Sequence, residues 1–195
     1  YESGVSFLST MPEKYDARDY DYITSVKNQN PYGSCWTYAS IASMESSLVS
    51  QGIVTADNID LSEWHMAYYA THSGSDELGN TVGDYVNEIS GIAYMNNGGN
   101  ANMAIVALSN WKGAARENDY PGNSDTEELQ AAGEALTKED AWKNNAYYLD
   151  EAYMVPATDS DGIKKMVQAY GAAYASYYHE SSYLNYDTAA YYCQK

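Results

Sequence analysis

Residues 26–39 read VKNQNPYGSCWTYA and place a cysteine between a turn and a helix. The segment before Cys35 is rich in Asn, Pro, Gly and Ser, which favour turns. From Trp36 to Gln51 there is no glycine or proline, apolar residues recur at helical spacing, and Gly52 follows as a stop signal. The pattern predicts a helix that begins at or beside Cys35. Unpaired N–H groups and the helix dipole favour an ionised thiol there, so Cys35 is a candidate nucleophile.

Five short segments of the chain, taken together, resemble those of papain-like cysteine peptidases. The central one is GSCW at 33–36 with Gln29 six residues before the cysteine, which is similar to the family's C-G-S-C-W signature. Tyr32 stands where that signature has its first cysteine. The others are MPEKYDARD at 11–19, DLSE at 60–63, NGG at 97–99 with Ala104 after it, and ENDYP at 117–121. On their order and spacing the chain is identified as a member of that family, and we expect a bacterial source.

The resemblance implies an α+β fold of papain type, with two domains and the active site in the cleft between them. An extended segment at 1–25 would precede a helical domain at 26–122, which carries the nucleophile helix. Residues 123–195 would only begin the β-rich domain, which a separate chain would complete. We therefore interpret the polypeptide as the larger, N-terminal heavy chain of a processed enzyme.

The resemblance also implies the catalytic chemistry. The Cys35 thiolate would attack a peptide carbonyl and form an acyl-enzyme, which water then releases. The Gln29 side-chain amide and the Cys35 backbone N–H would donate hydrogen bonds to the oxyanion that forms. The simpler alternatives are a buried structural cysteine, since free cysteine often lies in a core, and a surface glutamine.

Substrate binding is assigned by the same resemblance to Gly33, Ser34, Trp36, Gly98 and Gly99. The pair Gly98 and Gly99 resembles the family's glycine ledge, on which the backbone of an extended substrate forms hydrogen bonds. An ordinary Gly-Gly turn is the alternative for this pair. For the Trp36 ring, core packing is favoured over a role in the chemistry.

A general base is harder to assign, although the family needs a histidine that ionises the cysteine and an asparagine that orients it. His65 falls on a predicted helix and His72 in a predicted loop. His179 lies 144 residues after Cys35, within the family's window of ~130–150 residues, but the residues around it do not match. We therefore expect a second polypeptide, a light chain, to supply both residues. Cleavage after Lys195, with autoprocessing as one route, would separate the two chains.

The composition argues against several other classes of function. A formal net charge of −17 with only 10 Lys and Arg disfavours nucleic-acid binding, which needs clustered basic residues. The chain has neither CxxC nor HExxH, so we expect no metal and no cofactor. The DSDG segment at 159–162 resembles the start of a calcium loop, but a helix cap accounts for it better, because the next residues offer no oxygen ligands. No apolar run approaches the ~18 residues of a membrane span.

The cysteines and the start of the chain bear on its location. Two cysteines cannot build a disulfide framework. The family commonly has a disulfide between the position of Tyr32 and one near Asn96, and both positions lack cysteine here. That joint loss suits a secreted protein from a reducing habitat. Because the chain opens without the regions of a signal peptide, it is either cytosolic or a mature form. We expect the latter, secreted or extracellular, with the cell surface included.

The predicted function is therefore a secreted cysteine endopeptidase that acts on proteins or peptides. The alternative is a non-catalytic papain-like protein that binds peptides or a partner, or an inactive fragment. Turn and spacing signals predict the remaining elements. They are a helix at 57–69 capped by Asp60 or Ser62, a loop at 71–80, a tight turn at 96–100, a helix at 101–112, a charged helix within 127–145, a strand at 147–155, a helix at 162–170 capped by Asp159 or Asp161, and a strand at 172–178.

Overall fold

Five α-helices and four short β-strands form the regular structure of the computed structural model, which describes residues 11–74, 88–110, 112–122, 136–137, 140–143, 145–188 and 190–192. The helices are α1 (Cys35–Ser50), α2 (Glu63–Thr71), α3 (Ala101–Ser109), α4 (Asp140–Lys143) and α5 (Ser160–Tyr170). The strands are β1 (Ala114–Ala115), β2 (Asn145–Tyr147), β3 (Leu184–Asn185) and β4 (Ala190–Tyr191). Short 3-10 helices span Ala17–Tyr20, Ala56–Asn58, Gly91–Asn96 and Ser181–Tyr183.

Helix α1 confirms the helix predicted from the opening stretch, and it begins at Cys35 itself. Its end is set by Gly52, whose φ of +70° lies in the left-handed region that glycine adopts without strain. The Gly52 N–H donates to the Val49 carbonyl at 2.9 Å, and the Ile53 N–H donates to the Leu48 carbonyl at 3.0 Å. This is a Schellman motif, which satisfies carbonyls of the last helical turn.

Helix α2 begins six residues later than predicted. The Ser62 side chain accepts the His65 N–H at 3.0 Å, which confirms one of the two predicted caps. Before this cap, Leu61 forms a β-bridge with a distant part of the chain, and the Ser62 N–H donates to the Ala115 carbonyl at 2.9 Å. The predicted start at Asp57 is wrong because this long-range pairing engages the backbone just before the cap.

Two clusters of buried side chains form the core, and helices α1, α2 and α3 all contribute to the first of them. The first cluster includes Trp36, Ile41, Leu61, Met66 and Leu108. The second includes Tyr32, Trp64, Tyr69, Tyr94 and Met95. Trp36 and Tyr32 flank the predicted nucleophile on its two sides in the sequence, and each belongs to a different cluster. The segment around Cys35 is therefore anchored in both cores.

Lys27 joins the chain segment before α1 to two helices, in what we call the Lys27 cluster (Lys27, Glu45, Asp60 and Glu63). Its ammonium lies 2.9 Å from Glu63 Oε1, 2.6 Å from Asp60 Oδ1 and 3.5 Å from Glu45 Oε1. It also donates to the Leu61 carbonyl at 3.0 Å. Burial alone would lower the pKa of Lys27, but the surrounding carboxylates outweigh burial and raise it. Lys27 is therefore a permanent cation at this junction.

Glu45 is the most deeply buried acid of the Lys27 cluster, at 1% exposure. Its Oε1 accepts the Leu61 N–H at 2.7 Å, and its Oε2 accepts the Thr24 hydroxyl at 2.6 Å. Burial raises the pKa of Glu63 to about 7, although Lys27 acts in the opposite direction. One lysine thus faces three carboxyl groups, and Glu45 is the one whose two oxygens both accept hydrogen bonds from other segments.

Two predicted strands are wrong. Strand β2 ends at Tyr147 and pairs antiparallel with β1, with Ala114 opposite Tyr147 and Ala115 opposite Asn145. Residues 148–155 and 172–178 have no regular secondary structure. A strand exists only where a neighbouring backbone accepts and donates hydrogen bonds, and β1 is two residues long. The alternating pattern of those two segments therefore finds no pairing partner among the described residues.

The remaining helix predictions differ from the structure only at their ends. Helix α3 stops at Ser109, three residues before its predicted end. Helix α5 begins at Ser160, and of the two predicted caps Asp159 is correct, since its Oδ1 accepts the Gly162 N–H at 2.9 Å. Gly171 follows with a φ of +82°. The carboxylate that resembles a calcium ligand is thus a helix cap.

Some predictions fall outside the described residues, wholly or in part. These are residues 1–10 of the extended N-terminal segment, 75–80 of the predicted loop and most of the charged stretch at 127–145, in which α4 lies. In the part of the chain that the structure describes, no helix is both long and apolar enough to cross a membrane.

We expect Glu45→Ala to lower the free energy of unfolding by about 2–4 kcal/mol, because buried hydrogen bonds are lost although Lys27 keeps Asp60 and Glu63 as partners. The substitution leaves the Leu61 N–H and the Thr24 hydroxyl without their acceptors. Urea unfolding measures the change. Gln51→Ala, at the exposed end of α1, is the control and should change stability by about 0.5 kcal/mol or less. Equal unfolding midpoints for the two variants would show that the cluster does not stabilise the fold.

Candidate active site

Cys35 is the first residue of α1, and its side chain is exposed. The residue before it, Ser34, is fully buried, and its carbonyl accepts the Thr37 N–H at 2.9 Å and the Thr37 hydroxyl at 2.8 Å. Among the described residues, the backbone N–H groups of Cys35 and Trp36 have no hydrogen-bond partner. The thiol therefore lies in solvent, beside free N–H groups at the positive end of the helix dipole. Cys35 is not a buried structural cysteine.

Gln29 is held by two hydrogen bonds to Tyr32, in a turn that we call the Gln29 turn (residues 29–32). Its backbone carbonyl accepts the Tyr32 N–H at 3.0 Å, and its side-chain Nε2 donates to the Tyr32 carbonyl at 2.8 Å. The Tyr32 ring is buried in the second cluster. An amide nitrogen carries two hydrogens, so Nε2 keeps one for a further acceptor. The half-buried Gln29 is thus a positioned donor rather than a free surface side chain.

Gly98 and Gly99, the glycine ledge, pack against the start of α1. Gly98 has a φ of +67°, which favours glycine. A Cβ on Gly99 would lie 2.4 Å from two ring carbons of Trp36, so only a glycine fits there without a shift. Trp36 is 1% exposed. The Trp36 ring therefore packs directly against Gly99 of the glycine ledge, which agrees with the packing role favoured for Trp36.

A second contact joins the same two segments, and the sequence analysis missed it. The Gly33 N–H donates to Asn96 Oδ1 at 2.9 Å, across 63 residues of chain. The available signal was the family's disulfide, which joins the position of Tyr32 to one near Asn96. Of the predicted site residues, the structure thus brings 33–36 and 98–99 together. Among the described residues no hydrogen bond joins Gln29 to Cys35 directly, and Tyr32 lies between them.

All three histidines of the chain are among the described residues, and each packs against tyrosine rings. His65 is fully buried against the rings of Tyr69 and Tyr120, and burial lowers its pKa to about 3. His72 stacks on the Tyr68 ring at 3.9 Å, and the exposed His179 lies beside tyrosine rings near the end of the chain. Within the described residues, no histidine forms a hydrogen bond with Cys35.

A cavity of about 180 Å³ lies beside the Gln29 turn, lined in part by Gln29, Tyr38, Trp64 and Gly122. Cys35 does not line it, so the cavity lies behind the turn rather than at the thiol. Nearby, burial raises the pKa of Glu117 to about 7, and its Oε1 accepts the Gly122 N–H at 2.6 Å. Among the residues that the structure describes, no cluster of three His, Cys, Asp or Glu could hold a metal ion.

Comparison with known proteins gives a consistent picture. The sequence model described as "Papain family cysteine protease" matches residues 11–195. Fruit bromelain from Ananas comosus is 32% identical over 127 residues, which are 63% of this chain and 33% of that protein. Cysteine proteinase 2 from Entamoeba histolytica is 30% identical over 122 residues, which are 60% of this chain and 31% of that protein. The chain therefore spans about a third of the length of these relatives.

Solved structures show the same similarity. The clostridial cysteine protease Cwp84 after propeptide cleavage superposes with a TM-score of 0.67 at 26% identity, over 93% of this chain and 39% of that chain. The cysteine protease and lectin-like domains of Cwp84 from Clostridium difficile give a TM-score of 0.64 at 25% identity, over 97% of this chain and 38% of that chain. The predicted papain-like α+β fold is confirmed.

We expect Gly99→Ala to lower the free energy of unfolding by about 1–3 kcal/mol, because the new methyl group would overlap the buried Trp36 ring. Urea unfolding measures this loss. Gly122→Ala is the matched control, since its Cβ would meet no atom closer than 3.6 Å. If both variants unfold at the wild-type urea concentration, Gly99 does not pack on Trp36 as described.

Proposed function

Because the chain belongs to the papain family of cysteine proteases, we propose that it is a cysteine endopeptidase with Cys35 as its nucleophile. The observation that carries the proposal is the exposed thiol at the first residue of α1, next to backbone N–H groups that have no partner among the described residues. Its substrates would be proteins or peptides. Peptide hydrolysis by a thiol and a base requires no cofactor.

In the proposed reaction, the base removes the proton of the Cys35 thiol, and the sulfur attacks the carbonyl carbon of the peptide bond. The C–N bond then breaks, and the amine leaves with the proton that the base held. A thioester to Cys35 remains. Water attacks this thioester with help from the same base, which releases the carboxylic acid and restores the thiol.

Gln29 and the Cys35 backbone N–H are the proposed donors to the oxyanion. The bonds of Gln29 to Tyr32 support this role, because they fix the amide while leaving one of its hydrogens for the developing charge. Gly98 and Gly99 would offer backbone hydrogen bonds to an extended substrate. The remaining residues proposed for substrate binding, Gly33, Ser34 and Trp36, would shape the floor of the site around the thiol.

A second polypeptide, the light chain, would supply the catalytic histidine and asparagine. The three histidines of this chain support this arrangement, because all of them are engaged away from Cys35. The light chain would also complete a β-rich domain that begins at residue 123. Near the end of the described chain, Tyr177, Tyr178 and Tyr186 are 68%, 85% and 76% exposed. Each of these exposed rings is a candidate contact for the second polypeptide.

We further propose a secreted or extracellular location, including the cell surface. The likeness to Cwp84, which is described as a surface layer associated protein of Clostridium difficile, supports this location. A second candidate function is that of a non-catalytic papain-like protein that binds peptides or a partner, or of an inactive fragment. The observation that favours it is that, within the described residues, no histidine forms a hydrogen bond with Cys35.

For the protein purified from its natural source, we expect an intact mass spectrum under denaturing conditions to show two polypeptides in equal amounts. One would contain Cys35, and the other would contain a histidine and an asparagine. Detection of a single polypeptide that contains Cys35 would contradict the two-chain arrangement.

In the purified two-chain protein, we expect Gln29→Ala to lower kcat/KM for a peptide substrate by about 10²–10³-fold, because one oxyanion donor is lost. The rate at which a thiol-directed epoxide labels Cys35 should stay within about twofold, since Gln29 does not take the thiol proton. Gln51→Ala, the same change at the far end of α1, is the control. Labelling of the wild-type protein no faster than a free thiol would contradict the enzymatic function itself.

A further inference from the structure

One peptide group, between Tyr32 and Gly33, links the Gln29 side chain to the Asn96 side chain. The Tyr32 carbonyl accepts a hydrogen bond from Gln29 Nε2 at 2.8 Å. The N–H of the same peptide group belongs to Gly33, and it donates to Asn96 Oδ1 at 2.9 Å. A peptide group is planar, and in its usual trans form its C=O and N–H point in opposite directions. The side chains of Asn96 and Gln29 therefore form hydrogen bonds to opposite sides of one planar peptide group.

From this geometry we propose that Asn96 is a positioning residue for the reaction, which sets the direction of the Gln29 amide through the Tyr32–Gly33 peptide group. The inference rests on the proposed role of Gln29 as oxyanion donor. If the peptide group rotated, the Tyr32 carbonyl would turn away from Nε2, and Gln29 would lose its anchor. Glycine at position 33 makes such rotation easy, because it lacks the side chain that restricts the backbone.

Asn96 is itself held firmly enough to act in this way. It ends the 3-10 helix Gly91–Asn96, in which Tyr94 and Met95 are 2% and 3% exposed. A Cβ on Gly33 would lie 3.6 Å from the Asn96 carbonyl oxygen, so the two segments run close together. Asn96 Oδ1 thus accepts its hydrogen bond at the end of a helix that is fixed by the buried Tyr94 and Met95.

Hydrogen bonds in series also strengthen one another. The chain runs from Asn96 Oδ1 through the Gly33 N–H and the Tyr32 carbonyl to Gln29 Nε2. An acceptor on the peptide N–H makes the carbonyl at its other end a better acceptor. Loss of the Asn96 amide therefore weakens the bond to Gln29 even if the peptide group keeps its direction.

The first test concerns the coupling alone and uses the complete protein, with this chain labelled with ¹⁵N. We expect Asn96→Ala to shift the side-chain amide signals of Gln29 and to speed hydrogen exchange at Gly33. Asn96→Asp, which keeps an oxygen acceptor, should restore slow exchange. Asn97→Ala, at the neighbouring exposed position, is the control and should leave both readouts unchanged. Gln29 signals that are identical in Asn96→Ala and wild type would overturn the inference, whatever the enzyme does.

The second test is kinetic and uses the complete active protein. We expect Asn96→Ala to lower kcat about tenfold, with KM and the epoxide labelling rate of Cys35 nearly unchanged, and Asn96→Asp to recover most of the loss. In a Gln29→Ala background, Asn96→Ala should have no further effect, because the group that it positions is gone. An equal loss in both backgrounds would overturn the inference. A Gln29→Ala variant with wild-type kcat would instead contradict the proposed oxyanion role.

Discussion

The partly buried ammonium of Lys27 is the contact on which the arrangement around Cys35 depends. Its partners are Glu45 on α1, Glu63 at the first residue of α2 and the backbone carbonyl of Leu61. A buried charge is tolerated only with partners at short distance, so a shift of any of these segments would leave an ammonium or a carboxylate unpaired. The Gln29 turn begins two residues after this fixed point, and α1 begins at Cys35 only a few residues later.

The other constraints on the site are steric and come from two buried aromatic side chains, Trp36 and Tyr32. Trp36 fills the first core and contacts Gly99 so closely that no side chain could stand there. Tyr32 fills the second core, while its backbone carbonyl holds Gln29. The Cys35 thiol is therefore exposed, while the rings of Tyr32 and Trp36 on its two sides in the sequence are buried. Rigid packing beneath the proposed nucleophile suits the proposed backbone binding groups, because backbone atoms cannot adjust independently of the chain.

Local signals were reliable where a few neighbouring residues decide the outcome. Gly52 and Gly171 end helices because their positive φ needs glycine, and the Asp159 side chain caps α5 three residues away. The predictions failed where a distant partner decides. Helix α2 could not begin at Asp57, because the backbone of residues 60–62 pairs with the segment at 115–117. The alternating residues of 148–155 form no strand, because β1 is too short to pair with them.

The sequence by itself determined the helix that begins at Cys35, the residues able to do chemistry beside it and, through the order of its short motifs, the family. The helix and each motif are encoded within a few residues, by backbone preferences and helix-end chemistry, and the family follows from the order of the motifs along the chain. Only the tertiary structure decided that the Gly33 N–H donates to Asn96 Oδ1, and that His65 is buried between aromatic rings. Contacts between residues so far apart in the chain depend on how helices pack, and no local pattern specifies the packing of a remote surface.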